Sequence, residues 1–265
     1  MNRKNLLKGN DFFGNLKNSG ILVLVVIGVV LILSGNVSAA NCGGAVQCGC
    51  GDTLTSSLTM TGDLSNCPGN GIIFEADNIV LDCQGHTIEG DGSGYLFDYG
   101  IYLNSRQNNT IKNCIIRNFY HGIYLYSSSN NFLTNNTANS NSYDGIYLSS
   151  SSNNSLTNNT ANSNSNHGIS LDSSSNNFLT NNTANSSWYG IYLSSSSNNS
   201  LTNNTANSSW YGIFLSSSSN NFLTNNTLTN NRYNFYIYGY KISHFYQDID
   251  KSNLVDNKPI YYCVL

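Results

Sequence analysis

The chain has 265 residues, a net charge of −3, and only 9% Asp, Glu, Lys and Arg, against about 25% in an average soluble protein. Ser and Asn fill the difference, so the chain carries no basic footprint for a nucleic-acid partner. Two prolines and two methionines supply neither a Pro-rich linker nor a Met-rich copper site.

In chain order, residues 1–40 read as a signal peptide or N-terminal anchor. Arg3, Lys4, Lys8 and Lys17 precede an apolar run from Ile21 to Leu33, and the small residues Ser38, Ala39 and Ala40 follow. The run is 13 residues long, short of the ~20 needed to span a bilayer. The expected location is therefore outside the cytoplasm: extracellular, cell-surface or periplasmic. Residues 41–70 are Cys-rich and non-repetitive, an expected N-terminal cap. All seven cysteines follow the leader: Cys42, Cys48, Cys50, Cys67, Cys83, Cys114 and Cys263. In an exported chain they favour disulfides; Cys48-Gly-Cys50 is too tight for a zinc knuckle, and no metal is expected.

Residues 71–240 are organised by a repeat. Gly100, Gly122, Gly145, Gly168, Gly190 and Gly212 open units spaced 22, 23, 23, 22 and 22 residues apart, and Asn234 opens a seventh, degenerate one. Each unit runs Gly-Ile-x-Leu, a Ser-rich stretch, Asn-Asn-x-Leu-Thr-Asn-Asn-Thr, then a polar turn. A fixed period of this length denotes a solenoid. Within a unit the isoleucine and leucine two apart share one strand face, while Ser, Asn, Thr and β-branched residues oppose helix. The expected fold is an all-β, single-stranded right-handed parallel β-helix of about seven to nine coils. Three inward aliphatics per coil, at about 1.5–3 kcal/mol each, make a thin core. The asparagine columns Asn131 to Asn221 and Asn136 to Asn226 are expected to add hydrogen bonds from coil to coil. Aligning Asn78-Ile79-Val80 with Asn109-Thr110-Ile111 puts Cys83 in the column of Cys114, as a disulfide candidate. Residues 241–265 read as a degenerate last coil, apparently truncated and without an evident cap, which leaves room for an end-to-end contact.

The segment Ala76-Asp77-Asn78-Ile79-Val80-Leu81-Asp82-Cys83-Gln84-Gly85-His86-Thr87-Ile88, with the Gly-Ile-x-Leu coils and the closing Asp256-Asn257-Lys258-Pro259-Ile260, resembles NosD-like β-helix proteins, also described as carbohydrate-binding and sugar-hydrolase domains. The resemblance covers roughly residues 50–265. It implies the fold and a polysaccharide or cell-surface glycan as partner. The copper association of the family name finds no clustered ligands here, since the four histidines are spread over different coils. No cofactor is expected.

Two features carry chemistry. The outward position of each unit gives Tyr102, Tyr124, Tyr147, Ser170, Tyr192, Phe214 and Tyr236, an aromatic stripe that stabilises a sheet or offers flat faces to sugars. Trp188 and Trp210 extend it into the preceding turn. The residues just before the glycines place His121, Asp144 and His167 in one column, with Asp172 on the next strand beside Ser170. A catalytic notch on such groups needs paired acid and base, as glycosidases use two carboxylates about 5–9.5 Å apart; solvated turn residues are the plainer reading. The leading functional expectation is a non-catalytic carbohydrate-binding or structural protein at the cell surface. The alternatives are a polysaccharide-acting hydrolase, lyase or epimerase and an accessory subunit of an exported complex.

Overall fold

The computed structural model describes residues 39–94 and 97–263; the leader lies outside the described residues. Each of the central coils contributes one strand to each of two parallel faces and a strand or a single bridge to a third, giving about nine turns. The first face is a 10-stranded sheet, in which strands such as His121–Tyr126, Asp144–Ser149 and His167–Asp172 lie side by side. The second is a nine-stranded sheet of short strands such as Ser155–Thr157 and Phe178–Thr180. The third is held by a four-stranded and a three-stranded sheet, bridged by Thr137, Thr160, Thr183, Thr205 and Thr227.

Register on the first face is strict: Ile123, Ile146, Ile169, Ile191 and Ile213 pair in sequence, as do Leu125 to Leu215. All are fully buried, together with Leu133, Leu156, Leu179 and Leu201 from the second face. A fourth column, Ala138, Ala161, Ala184 and Ala206, closes the core on the third face. Its small size goes with the opening glycines. A Cβ on Gly145 would stand 2.7 Å from the Gly168 carbonyl and 2.5 Å from Asn164 Nδ2, so only glycine fits that corner.

Asn and Ser recur because the coil turns its corners through single left-handed residues. In one coil these are Ser150, Asn153, Asn158 and Ser163, with φ of 51°, 60°, 57° and 56°; short polar side chains tolerate that region best after glycine. Each corner residue precedes a buried polar one: Ser151, Asn154, Asn159 and Asn164. These accept the backbone N–H of the equivalent residue one coil earlier, at 2.9, 2.8, 3.0 and 2.9 Å. Their own donors return to main-chain carbonyls, as Asn159 Nδ2 does to Leu133 O. Four polar columns per coil thus satisfy the corner backbone that no sheet reaches.

Three disulfides join Cys42–Cys48, Cys50–Cys67 and Cys83–Cys114, which fits an oxidising compartment. Cys263 is free and exposed. The alignment that paired these last two half-cystines is one residue out. Val80 pairs with Thr110 and Leu81 with Ile111, so Leu81, not Val80, points inward. The extra residues Gln84 and Gly85, both left-handed, widen the next corner, and the sulfurs still meet. Coil stacking also reaches back into the Cys-rich stretch, with Asp52–Leu54 pairing onto Ile72–Phe74.

After a 3₁₀ turn at Ile242–Phe245, Gln247 Oε1 accepts Asn221 N–H at 2.9 Å and Asn253 Oδ1 accepts Asn226 N–H at 3.1 Å. These side chains add one more rung to the polar columns.

Candidate functional site

The corner glycine also aims the site. With glycine and the following isoleucine both turned inward, the residue before the glycine and the residue after the isoleucine emerge on the same outer surface. Tyr99 therefore packs on both Tyr102 and Tyr124, with ring centroids 4.9 Å away in each case. Tyr102, Tyr124 and Tyr147 stack in series at 5.4 and 4.9 Å, and Tyr192, Phe214 and Tyr236 continue beyond the gap at 5.4 and 5.1 Å. Ser170 supplies no ring between them and is only 2% exposed.

That missing ring leaves a cavity of about 410 Å³ lined by His121, Tyr143, Asp144, Tyr147, His167, Ser170, Asp172, Tyr192 and Ser194. All four titratable residues singled out in the sequence line this one cavity. Tyr143 and Ser194 were not singled out; Tyr143 would have been found by following the residues two before each glycine as a column of their own.

Asp144, His121 and His167 are 1%, 6% and 8% exposed, so the reading of solvated turn residues fails. Asp144 sits between the two imidazoles. His167 Nδ1 lies 2.6 Å from Asp144 Oδ1, and the His167 backbone N–H donates to the same oxygen at 3.1 Å. His121 Nδ1 approaches Oδ2 at 3.3 Å, but off line, and makes no aligned hydrogen bond. Burial alone would raise the Asp144 carboxyl; the hydrogen bonding of His167 and the nearby imidazoles of both histidines outweigh it and hold the group below its ordinary value. Asp144 is thus an anion that orients His167 and leaves Nε2 as the nitrogen free for other partners. His167 also lies flat on Tyr192, centroids 4.8 Å apart and planes 4° apart, and His121 stacks on Tyr147 at 5.0 Å. Burial pushes the Tyr147 phenol up, so it stays protonated at neutral pH. Asp172, half-buried on the same strand as Ser170, is the carboxylate of the cavity that solvent can reach.

The carboxylate pair Asp144 and Asp172 therefore does not act as two equivalent groups. Asp144 is sealed and engaged by histidines. Along the stripe, Tyr124 and Tyr147 lie face to face at 8°, whereas Tyr192–Phe214 is tilted at 58° and Phe214–Tyr236 is edge-on at 88°, and Tyr236 stays 41% exposed. Trp188 and Trp210 stack on each other at 4.7 Å and 7°, which covers one face of each ring and leaves Trp188 47% exposed. Among the described residues, no group of three or more His, Cys, Asp or Glu has the arrangement of a metal centre.

Residues 99–249 match the family model for the right handed beta helix region. The chain belongs to the right-handed β-helix family. No curated protein sequence shows significant similarity to it. Among solved structures, this β-helix is similar to a point mutant of the periplasmic alginate epimerase AlgG, with 17% identity, 74% of this chain and 46% of that chain covered, and a TM-score of 0.53. It is similar to pectate lyase Pel9A at 15% identity, 71% and 56% coverage and a TM-score of 0.52. A third is DFA-IIIase from Arthrobacter chlorophenolicus A6 without its lid, at 14% identity, 62% and 45% coverage and a TM-score of 0.53. The chain spans 37% of another AlgG structure and about half of these three, and at such identities the likeness is one of fold. The expectation of a non-catalytic binder or surface component is nonetheless overturned, since these neighbours of the β-helix are enzymes of saccharide chemistry.

Proposed function

We propose that this β-helix is an exported polysaccharide-acting enzyme whose acid–base centre is His167, oriented by Asp144, with Asp172 as the second reacting group. The observation that carries the reading is the buried Asp144–His167 pair opening into the gap that Ser170 leaves in the aromatic stripe between Tyr147 and Tyr192. A general acid–base group held by a buried carboxylate gains a fixed tautomer and orientation.

The charge of the cavity bears on the substrate. Two carboxylates line it and, among the described residues, no Lys or Arg does, which disfavours a uronate and favours an uncharged polysaccharide. In glycosidic cleavage, protonated His167 donates its Nε2 proton to the departing glycosidic oxygen. Asp172 assists at the anomeric carbon, either by attacking it or by taking a proton from the incoming water; water then supplies the hydroxyl of the new reducing end. A second reading has one specific support, the protonated Tyr147 across the cavity. Neutral His167 would remove the proton beside a uronate carboxyl, and Tyr147 would protonate the leaving oxygen or return a proton to the opposite face, as in a lyase or an epimerase. The finer NosD-like assignment rests on the Ala76–Ile88 segment.

The test is product analysis on a panel of uncharged and uronate polysaccharides. New reducing ends from an uncharged glycan, lost about 100-fold or more in His167→Gln and Asp172→Asn, support cleavage. Unsaturated or epimerised uronates would replace it by the second reading. No product from any polysaccharide would overturn the enzyme.

A further inference from the structure

A second outer column runs two residues before each glycine: Tyr120, Tyr143, Asn166, Trp188, Trp210 and Arg232. Its rungs stay in register through the middle, since Asn166 N–H donates to Tyr143 O at 2.8 Å and Tyr189 N–H to Asn166 O at 2.9 Å. Tyr120 covers one face of Tyr143, at 4.8 Å and 10°. Trp210 covers one face of Trp188, and Arg232 lies 4.0 Å above Trp210. Asn166 brings no ring. Tyr143 and Trp188 thus flank a rung that brings no ring of its own, and they are 39% and 47% exposed.

We propose that this gap is a slot for one pyranose, clamped between Tyr143 and Trp188 above Asn166. Two rungs of about 4.8 Å separate the two rings, so the opening is ~9.6 Å. Carbon–carbon contact of ~3.5–4.0 Å on each side leaves ~2 Å, enough to admit the carbon frame of a puckered saturated ring. Both clamping faces are aromatic, so the fitting sugar presents C–H groups above and below and hydroxyls around its rim, the gluco pattern with equatorial substituents. The Asn166 amide stands at the floor, where it meets a rim hydroxyl. Its amide also lies 3.0 Å from His167 Nδ1, and Tyr143 lines the cavity described above, edge-on to His167 at 6.2 Å. The coil 166–172 thus lacks its ring in both columns, which joins slot and cavity. A chain with one residue in the slot lays a neighbouring linkage over His167 and Asp172. The proposal rests on the enzymatic reading for its biological ligand, but the clamp itself is separately measurable.

The two tryptophans of the chain are Trp188 and Trp210, so intrinsic emission reports the slot without any turnover. Cello-, xylo- and manno-oligosaccharides are titrated into the full chain by fluorescence and by calorimetry. A gluco-configured oligosaccharide should shift the emission. Trp188→Ala should weaken binding by about tenfold, one stacking face being removed. Asn166→Tyr should complete the ring column and abolish binding while keeping or raising the melting temperature. Phe178→Ala, on the second face, should bind as wild type. Should Asn166→Tyr fail to fold, Trp188→Ala decides. A saccharide that is turned over with unchanged emission and equal KM in Trp188→Ala overturns the slot and leaves the enzyme standing. Trp188-dependent binding without turnover upholds the slot and removes the enzyme. No emission change with any of the three series overturns the slot outright.

Discussion

Replacing Asn182 by alanine removes one member of a polar column in mid-solenoid and leaves every outward residue untouched. Asn182 is 1% exposed. Its Oδ1 accepts the Asn159 backbone N–H at 2.9 Å and Asn159 Nδ2 at 3.1 Å, and its Nδ2 donates to Leu156 O at 2.9 Å and Asn204 Oδ1 at 3.0 Å. Alanine orphans a main-chain donor and a main-chain acceptor where water does not reach, at about 1–3 kcal/mol each. Part of the loss is recovered by relaxation of the Asn159 and Asn204 amides, so the expected destabilisation is about 4 kcal/mol. For a chain of this size that lowers the melting temperature by about 8–16 °C. Urea unfolding followed by circular dichroism measures it, with outward Thr180→Ala as a control expected within ~0.5 kcal/mol. A loss below ~1 kcal/mol for Asn182→Ala would refute the claim that these amides hold the corners.

Asp144 is held below its ordinary value in the folded state, so its stabilising contribution is full above the unfolded value of about 3.9 and is lost as pH falls from there through the folded value. Acid unfolding of Asp144→Asn should accordingly be flatter below pH ~4 than that of wild type; parallel acid limbs would contradict the ion pairing. Converting Cys83 and Cys114 together to serine opens a loop spanning 31 positions and should cost about 3.7 kcal/mol on the chain-entropy estimate, read from urea midpoints; an unchanged midpoint would count against it. Ser170→Tyr should fill the cavity between Tyr147 and Tyr192, leaving circular dichroism unaltered and turnover below a hundredth of wild type. Full activity in that variant would place the reaction elsewhere.

The architecture was legible because the Gly-Ile-x-Leu spacing repeats with little drift, so the parity of each strand, and with it Ile146 or Leu148 pointing inward, follows from the pattern. The register failed at Val80, where Gln84 and Gly85 lengthen one corner and no neighbouring repeat reveals the shift. The alanine column was missed since a single small residue in a polar turn carries no hydrophobic signal. At the site, the sequence brought His121, Asp144, His167 and Asp172 together by counting from the glycines. It misjudged their burial: the turn before a strand is usually solvated, and only the bend at the glycine shows that these side chains fold onto the outer sheet among tyrosines. Sequence gives which residues align, whereas stacking at one rung per ring decides what surface is left to bind.

The central claim is that His167, held by Asp144, performs acid–base chemistry on a polysaccharide. The most direct measurement is the pH–rate profile of product release from an uncharged glycan for wild type, Asp144→Asn and His167→Gln. Wild type should show a bell, Asp144→Asn should retain binding but lose on the order of 10³–10⁴ in kcat, and His167→Gln should lose the ascending or descending limb along with the rate. Turnover in His167→Gln with the wild-type profile would contradict the account.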